Sequence, residues 1–544
     1  MGFTSSALIC GGLFSVTAFT RFLLMKFQPV SHLLLWLALS VAALGAENRR
    51  VVVVVWDGMR PDFVSAETTP HLWQLAQRGV TFAHHHPVFL SATEVNGTAL
   101  ATGAYPSRSF VIANTDYRPA IDAQKSVAIE DPATIAKGDA VSGGHYLGAP
   151  TVAELLHARG ERTAIAGTKQ IALLQDRAPR SASTAMSSVV FEGDTLPAEL
   201  AAQLTTTHGA FPATAKTQDK IARDAWTTQV LIGSLWRDGV PPYSLLWLGE
   251  PDASQHATGP GSPQSLASIA QSDTQLGLVV ADLEKRGLLS TTDIFVVSDH
   301  AFSTIARKVD VAVELSTAGF IAKRAAPGGL KTGEVLVVAN GGSTLIFVGG
   351  HEPEVTRRVI AYLQNQNWTG VIFSREPSEG TFSLAEARID SPAAPDLVVS
   401  LRWQHGRNAH GTPGLHTSDL APTSTRVGNH ASLSPYDMHN TLIAAGPHLR
   451  VGVTNPLASA NTDVAPTILW LLGHRDEAAQ MDGRVLSEAL TASDVPALRS
   501  VNLQRLQAQR TFASGAWSQY LQIVEINGVR YLDEGNGAFV SAAK

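Results

Sequence analysis

A run of five valines, Val51 to Val55, closed by Trp56 and then Asp57, constrains this chain more than any other segment. None of its first six residues is charged, so the strand they form needs apolar cover on both faces. Such a strand belongs inside a sheet flanked by helices. Similar runs recur at Thr163 to Ala166, Tyr243 to Leu248, Asp293 to Ser298, Thr344 to Val348 and Leu442 to Ala445. Helical periodicity marks Thr69 to Arg78, Val152 to Arg159, Thr217 to Arg237, Pro263 to Arg286, Glu354 to Gln364 and Asp463 to Leu472. The alternation predicts an α/β fold: a mainly parallel central sheet with helices on both faces.

The pattern loosens twice. Residues 301–428, rich in Gly, Ala, Pro and Ser, carry their own strand and helix signals and predict an inserted cap subdomain. Tyr117 to Pro150 reads as a surface excursion. A catalytic domain is thus expected over 47–490, followed over 491–544 by a C-terminal helix and a β-hairpin. In that hairpin Tyr520 to Ile526 and Val529 to Leu532 flank the turn Asn527-Gly528.

The first 46 residues read as a leader. Leu33 to Leu44 form an apolar run of signal-peptide length, and Ala43-Leu44-Gly45 supplies a small-x-small cleavage signal. Met25-Lys26 is a better start than Met1, which makes residues 1–24 an over-extended beginning; an apolar anchor over Ser6 to Leu24 is the lesser reading. Export to the periplasm or the medium is expected, with no stable membrane span after cleavage. The single cysteine, Cys10, lies in the leader, so the mature chain has no disulfide and no thiolate ligand. A formal charge of −6 with dispersed Lys and Arg argues against duplex nucleic acid as a partner. A small phosphorylated substrate would be held by local charge instead.

Polar residues just past buried strands stand where open α/β sheets bind ligands. Asp57 follows the valine run, Asp252 and His256 follow Tyr243 to Leu248 at a spacing of one helical turn, and the Asp299-His300 doublet follows Asp293 to Ser298. Carboxylates and imidazoles are zinc-type ligands, although an Asp in such a place also serves turns and helix caps. His430 stands further on among competing histidines. Of these, His84-His85-His86 looks like a strand entry, His405, His410 and His416 fall in a Gly-rich loop, and His439 follows later. Ser91, Thr93, Thr98 and Thr102 offer hydroxyls in front of a small-residue helix, where capping competes with nucleophilic use.

In order along the chain, VVVVVWDGMRPD, Thr93-Glu94-Val95-Asn96 with ATGAYPS, EPDASQH, VVSDH and GNH with DMHNTLIAAGP resemble the alkaline phosphatase superfamily, most closely its nucleotide pyrophosphatase/phosphodiesterase branch. The resemblance spans roughly residues 50 to 480. It implies two zinc ions, with manganese or cobalt as substitutes. Asp57, Asp299 and His300 would hold one together with the Thr93 oxygen; Asp252, His256 and His430 would hold the other. It further implies attack by Thr93 on phosphorus, a phosphothreonine intermediate, and a hydrogen bond from Asn114 to a phosphate oxygen.

This chain departs from the family pattern at Glu94 and Val95, where an aromatic residue and Pro are usual, and at Ala301, where Gly is common. Lys169 matches a phosphate-gripping Lys of some monoesterases, but Ile171 stands where their Arg would be, which favours diesters. A sulfatase lacks support because its nucleophile signature is missing, and export with the Thr93 context opposes a phosphoglycerate mutase. The reading of another class is a non-catalytic, metal-stabilised binding protein, which would have no need of Thr93.

Overall fold

The computed structural model describes residues 49–177, 187–213 and 220–542. The leader expected over 1–46 lies outside the described residues. From Arg50 the chain builds a nine-stranded sheet. Its order is Val453–Ala460, Val80–His86, Leu442–Ala445, Thr292–Val297, Arg50–Trp56, Tyr243–Leu248, Thr163–Gly167, Ser187–Phe191 and Asp194–Leu196. Leu442–Ala445 runs against both neighbours and Asp194–Leu196 turns back at one edge. The other strands share one direction, so the sheet is mainly parallel.

The valine run sits in the middle, and its two faces separate by parity. Val51, Val53 and Val55 enter one core with Leu156, Val464 and Ile468. Val52, Val54 and Trp56 enter the other with Val230, Leu276 and Val279. Helices Val152–Ala158 and Asn461–Leu472 cover the first face, and Ile221–Val230 and Pro263–Lys285 the second. Each valine so buried contributes roughly 1.5–3 kcal/mol before the entropy of ordering is deducted. The helix expected over Thr217 to Arg237 is Ile221–Val230 extended by one π-helical turn, Leu231–Leu235; residues 217–219 lie outside the described residues.

Three expectations change. The Thr344 to Val348 run does not join the central sheet: as Ser343–Val348 it pairs antiparallel with Val335–Asn340 and Leu397–Leu401 in a separate six-stranded sheet. An apolar run reports burial but not which sheet buries it. The Tyr117 to Pro150 stretch is no mere surface excursion. Tyr117, Ile129, Ile135 and Tyr146 are buried, and the Tyr146 hydroxyl donates to the Ile129 carbonyl at 2.7 Å. Beyond residue 490 the described residues form no helix. Val501–Phe512, Gly515–Ile526 and Val529–Ser541 make a three-stranded antiparallel sheet, because pairing along the whole length of Gly515–Ile526 overrides local helix preference.

The insertion closes on itself at its base. Ser303 and Thr304 pair antiparallel with Asn429 and Gly428. That short ladder returns the chain to within reach of His300 just as it arrives at His430.

Candidate active site

Three adjacent parallel strands, Thr292–Val297, Arg50–Trp56 and Tyr243–Leu248, end level with one another, with Val297 opposite Val55 and Trp56 opposite Leu248. Each end therefore delivers its acid to one place. Gly58 makes the first turn possible: its φ of +74° suits glycine, and a Cβ there would come within 3.2 Å of the Asp252 backbone. Its N–H donates to Asp299 Oδ1 at 3.0 Å, fixing two of the acids against each other. Asp252 opens the short helix Asp252–Thr258, which carries His256 one turn on, with Nε2 3.3 Å from Asp252 Oδ1.

The three imidazoles share one arrangement. Nδ1 of His256 meets the Gly428 carbonyl at 2.9 Å, that of His300 the Ala301 carbonyl at 3.0 Å, and that of His430 the Ser91 carbonyl at 3.0 Å. A carbonyl only accepts, so Nδ1 carries the proton and Nε2 presents a lone pair toward the carboxylates. His300 Nε2 lies 3.3 Å from Asp299 Oδ2 and 3.7 Å from Asp57 Oδ1; His430 Nε2 lies 3.7 Å from Asp252 Oδ1. The His300 and His430 rings stack at 3.7 Å. Ligand atoms of Asp57, Asp252 and His300 lie within 4.8 Å of one another, as do those of Asp252, His256 and His430.

So many like charges in one buried place leave a mark. Asp57 Oδ1, Asp252 Oδ1 and Asp299 Oδ2 are buried without a hydrogen-bond partner. Burial, joined by the charges of Asp299 and Asp252, pushes the Asp57 carboxyl well above the usual range, against the pull of Lys169. Burial also holds His430 well below an ordinary histidine, aided by the neighbouring His300 and His256.

Thr93 is the first residue of the helix Thr93–Thr102, whose N-cap is Ala92 with no side-chain cap. Its hydroxyl is thus not spent on capping, and Oγ1 sits 3.2 Å from His300 Nε2. The competing hydroxyls are occupied: Ser91 donates to the Ser432 carbonyl, Thr98 to Glu94 and Thr102 to Thr98. Asn96 ties the preceding loop down, donating to the carbonyls of Val88, Leu90 and Ala92 while accepting from Val88 N–H. Asn114 accepts from the Glu94 N–H at 3.1 Å through Oδ1, which leaves its Nδ2 to donate.

The Lys169 ammonium rests on Asp57 Oδ2 at 2.8 Å and Asp252 Oδ2 at 3.4 Å. The site opens into a cavity of about 1000 Å³ that Thr93, Asn114, Lys169 and His430 help to line. Glu130 also lines it and, like Glu94, keeps one buried carboxylate oxygen without a hydrogen-bond partner. Glu130 went unnoticed because it stands in the stretch read as a surface excursion, after a two-residue strand too short to show alternation.

The family of type I phosphodiesterase / nucleotide pyrophosphatase matches residues 51–430. Ectonucleotide pyrophosphatase/phosphodiesterase family member 5 of Homo sapiens is 25% identical over 280 residues, covering 51% of this chain and 50% of that protein. Bis(5'-adenosyl)-triphosphatase ENPP4 of Pongo abelii is 22% identical over 258 residues, 47% of this chain and 48% of that protein. The matches thus span about half the length of these curated relatives. Among solved structures, murine ectonucleotide pyrophosphatase / phosphodiesterase 5 shares the fold with a TM-score of 0.53 at 18% identity, over 78% of this chain and 95% of that one. The matched segment runs from the central valine strand to His430, and the chain belongs to the type I phosphodiesterase / nucleotide pyrophosphatase family, a branch of the alkaline phosphatase superfamily.

Proposed function

We propose that this protein hydrolyses phosphodiester or nucleotide pyrophosphate bonds, with Thr93 as nucleophile and two divalent cations, zinc by preference, held by Asp57, Asp299 and His300 and by Asp252, His256 and His430. The observation that carries the reading is the gathering of these six side chains into one buried cluster whose His300 Nε2 lies 3.2 Å from an uncapped threonine hydroxyl. The donor set fits the cations: three buried carboxylate oxygens lack partners, and three Nε2 lone pairs are aimed inward by Nδ1–H bonds to carbonyls. Manganese and cobalt suit the same ligands.

Bound there, the two cations would supply Lewis-acid chemistry, lowering the pKa of the Thr93 hydroxyl and offsetting charge on the phosphate and the departing oxygen. The protein does the rest by position. Thr93 Oγ1 attacks phosphorus in line, the bond to the leaving oxygen breaks, and a threonine phosphoester remains. Water then attacks the same phosphorus from the opposite side and the Thr93 hydroxyl returns. Asn114 Nδ2 donates to a non-bridging oxygen as negative charge accumulates there.

Diesters are favoured over monoesters. Ile171, where a second cationic gripper would stand, is wholly buried in the core, and Glu94 and Glu130 bring acid to the wall that would face an extra phosphate charge. A nucleotide is the leading substrate class: one solved relative is in complex with AMP and another relative is named a bis(5'-adenosyl)-triphosphatase. Export, the expectation from the leader, accords with relatives named as ectoenzymes and a venom phosphodiesterase. Among the described residues no helix is long and apolar enough to cross a membrane.

Hydrolysis of bis(4-nitrophenyl) phosphate and of 4-nitrophenyl phosphate, with and without chelator, tests the proposal. The diester should turn over faster, and chelator should abolish both activities. Thr93→Ala should keep its metal and lose turnover by at least about 10³-fold, whereas His256→Ala should lose a metal ion. A Thr93→Ala protein as active as the parent would remove the nucleophile assignment.

A further inference from the structure

The three consecutive histidines at the end of Val80–His86 serve different ends. His84 is exposed. His85 points inward with both ring nitrogens occupied, Nδ1 by Ser459 Oγ and Nε2 by Asn461 Oδ1, each at 2.9 Å. His86 is buried and meets two residues from distant parts of the chain: His439, which follows the short helix Pro435–Met438, and Asp533 on the C-terminal strand Val529–Ser541.

Both Nε2 atoms converge on the same carboxylate oxygen. Asp533 Oδ1 lies 3.2 Å from His86 Nε2 and 2.6 Å from His439 Nε2, and the two rings stand edge to face at 5.0 Å. Nδ1 of His86 meets the Ser459 carbonyl at 3.0 Å. A carbonyl fixes the proton on Nδ1, so the neutral ring directs a lone pair at an oxygen that also only accepts. Something positive must lie between them. His256, His300 and His430 are oriented by a backbone carbonyl in the same way. The second oxygen of Asp533 is held by Gln522 Nε2 at 3.2 Å, so the carboxylate is oriented as well.

We propose that His86, His439 and Asp533 form a further binding site for a divalent cation of the zinc class, separate from the centre around Thr93. Two imidazoles and one carboxylate are a zinc-type donor set that leaves a fourth position to water. Tetrahedral ligands on such a cation stand about 3.3 Å apart, close to the His86 contact. The His439 ring, partly exposed, would have to swing out by about 0.7 Å from its 2.6 Å contact to reach that tetrahedral spacing. His86 lies on the central sheet just before the loop to Thr93, and Asp533 lies on the C-terminal sheet. The cation would therefore pin that sheet to the catalytic body, and because it binds only the folded chain it would stabilise it.

The competing occupant is a proton, which would make the cluster an imidazolium–carboxylate pair. Zinc counted by elemental analysis on the full-length protein, stripped with chelator and reloaded with Zn²⁺ alone, separates the two. Parent protein should hold one zinc per chain more than either His439→Ala or Asp533→Asn, and both variants should still hydrolyse the diester. Zinc should raise the unfolding temperature of His256→Ala, which keeps this cluster, by more than that of the double variant His256→Ala/Asp533→Asn. Equal zinc counts in the parent and both variants would overturn the site, including the case in which the variants merely melt earlier. That outcome leaves the reading around Thr93 untouched, since the latter is judged by Thr93→Ala and His256→Ala.

Discussion

Lys169 shows what a single residue reveals only when its neighbours are known. Its ammonium bridges Asp57 and Asp252, where positive charge is most needed. Asp252, Asp57 and Glu130 in turn hold the Lys169 ammonium well above the usual lysine range, overcoming its own burial. Lys169→Met should therefore destabilise the chelated protein, by roughly 3–5 kcal/mol if the carboxylates are left uncompensated, and the zinc-loaded protein much less. Thermal unfolding with and without zinc reads the difference; an equal loss in both states would show that Lys169 is not acting as a counter-ion. The proposed ligand residues were legible because each stands at a strand end or one turn beyond. Glu130 was not, because it follows a strand of only two residues, and the Asp533 cluster was not, because His86 meets its partners more than 350 residues along the chain.

At the level of elements, the helix Thr93–Thr102 decides whether the site is assembled. It is buried along its whole length, and at Gly97 an added Cβ would come within 2.6 Å of Ile171 and 3.0 Å of Trp247. The helix thus lies against the sheet as closely as a backbone can. Gly97→Val should cost about 1–3 kcal/mol through overpacking and lower turnover several-fold while the zinc count stays the same. Denaturant unfolding and elemental analysis check both halves, and turnover at the parent rate would mean that the helix does not set the position of Thr93. The strand-and-helix alternation exposed the central sheet, since a strand buried on both faces has a distinctive composition. It misplaced Ser343–Val348 and missed the strand Val501–Phe512, whose partners are chosen by tertiary packing.

For the molecule as a whole, one buried acid joins the catalytic body to the C-terminal sheet. Asp463 accepts from the N–H groups of Ala460 and Arg484 and from the Tyr531 hydroxyl at 2.9 Å. Burial pushes its carboxyl up to about 6, against the pull of Arg484. The unfolded value is near 3.9, so between roughly pH 4 and 6 the folded chain holds the extra proton. This group's contribution to stability therefore falls as pH rises through that window, by on the order of 3 kcal/mol. The stability of the parent relative to Asp463→Asn should be greater at pH 4 than at pH 7, and a difference independent of pH would contradict the shift. The central claim, that distant strand ends and a returning insertion grip two cations beside Thr93, is tested most directly by anomalous diffraction from zinc-loaded crystals. Two zinc peaks should appear in this centre, one bonded to Asp57, Asp299 and His300 and the other to Asp252, His256 and His430, with His nitrogens about 2.0–2.1 Å away; zinc bound elsewhere while these six side chains stay empty would contradict it.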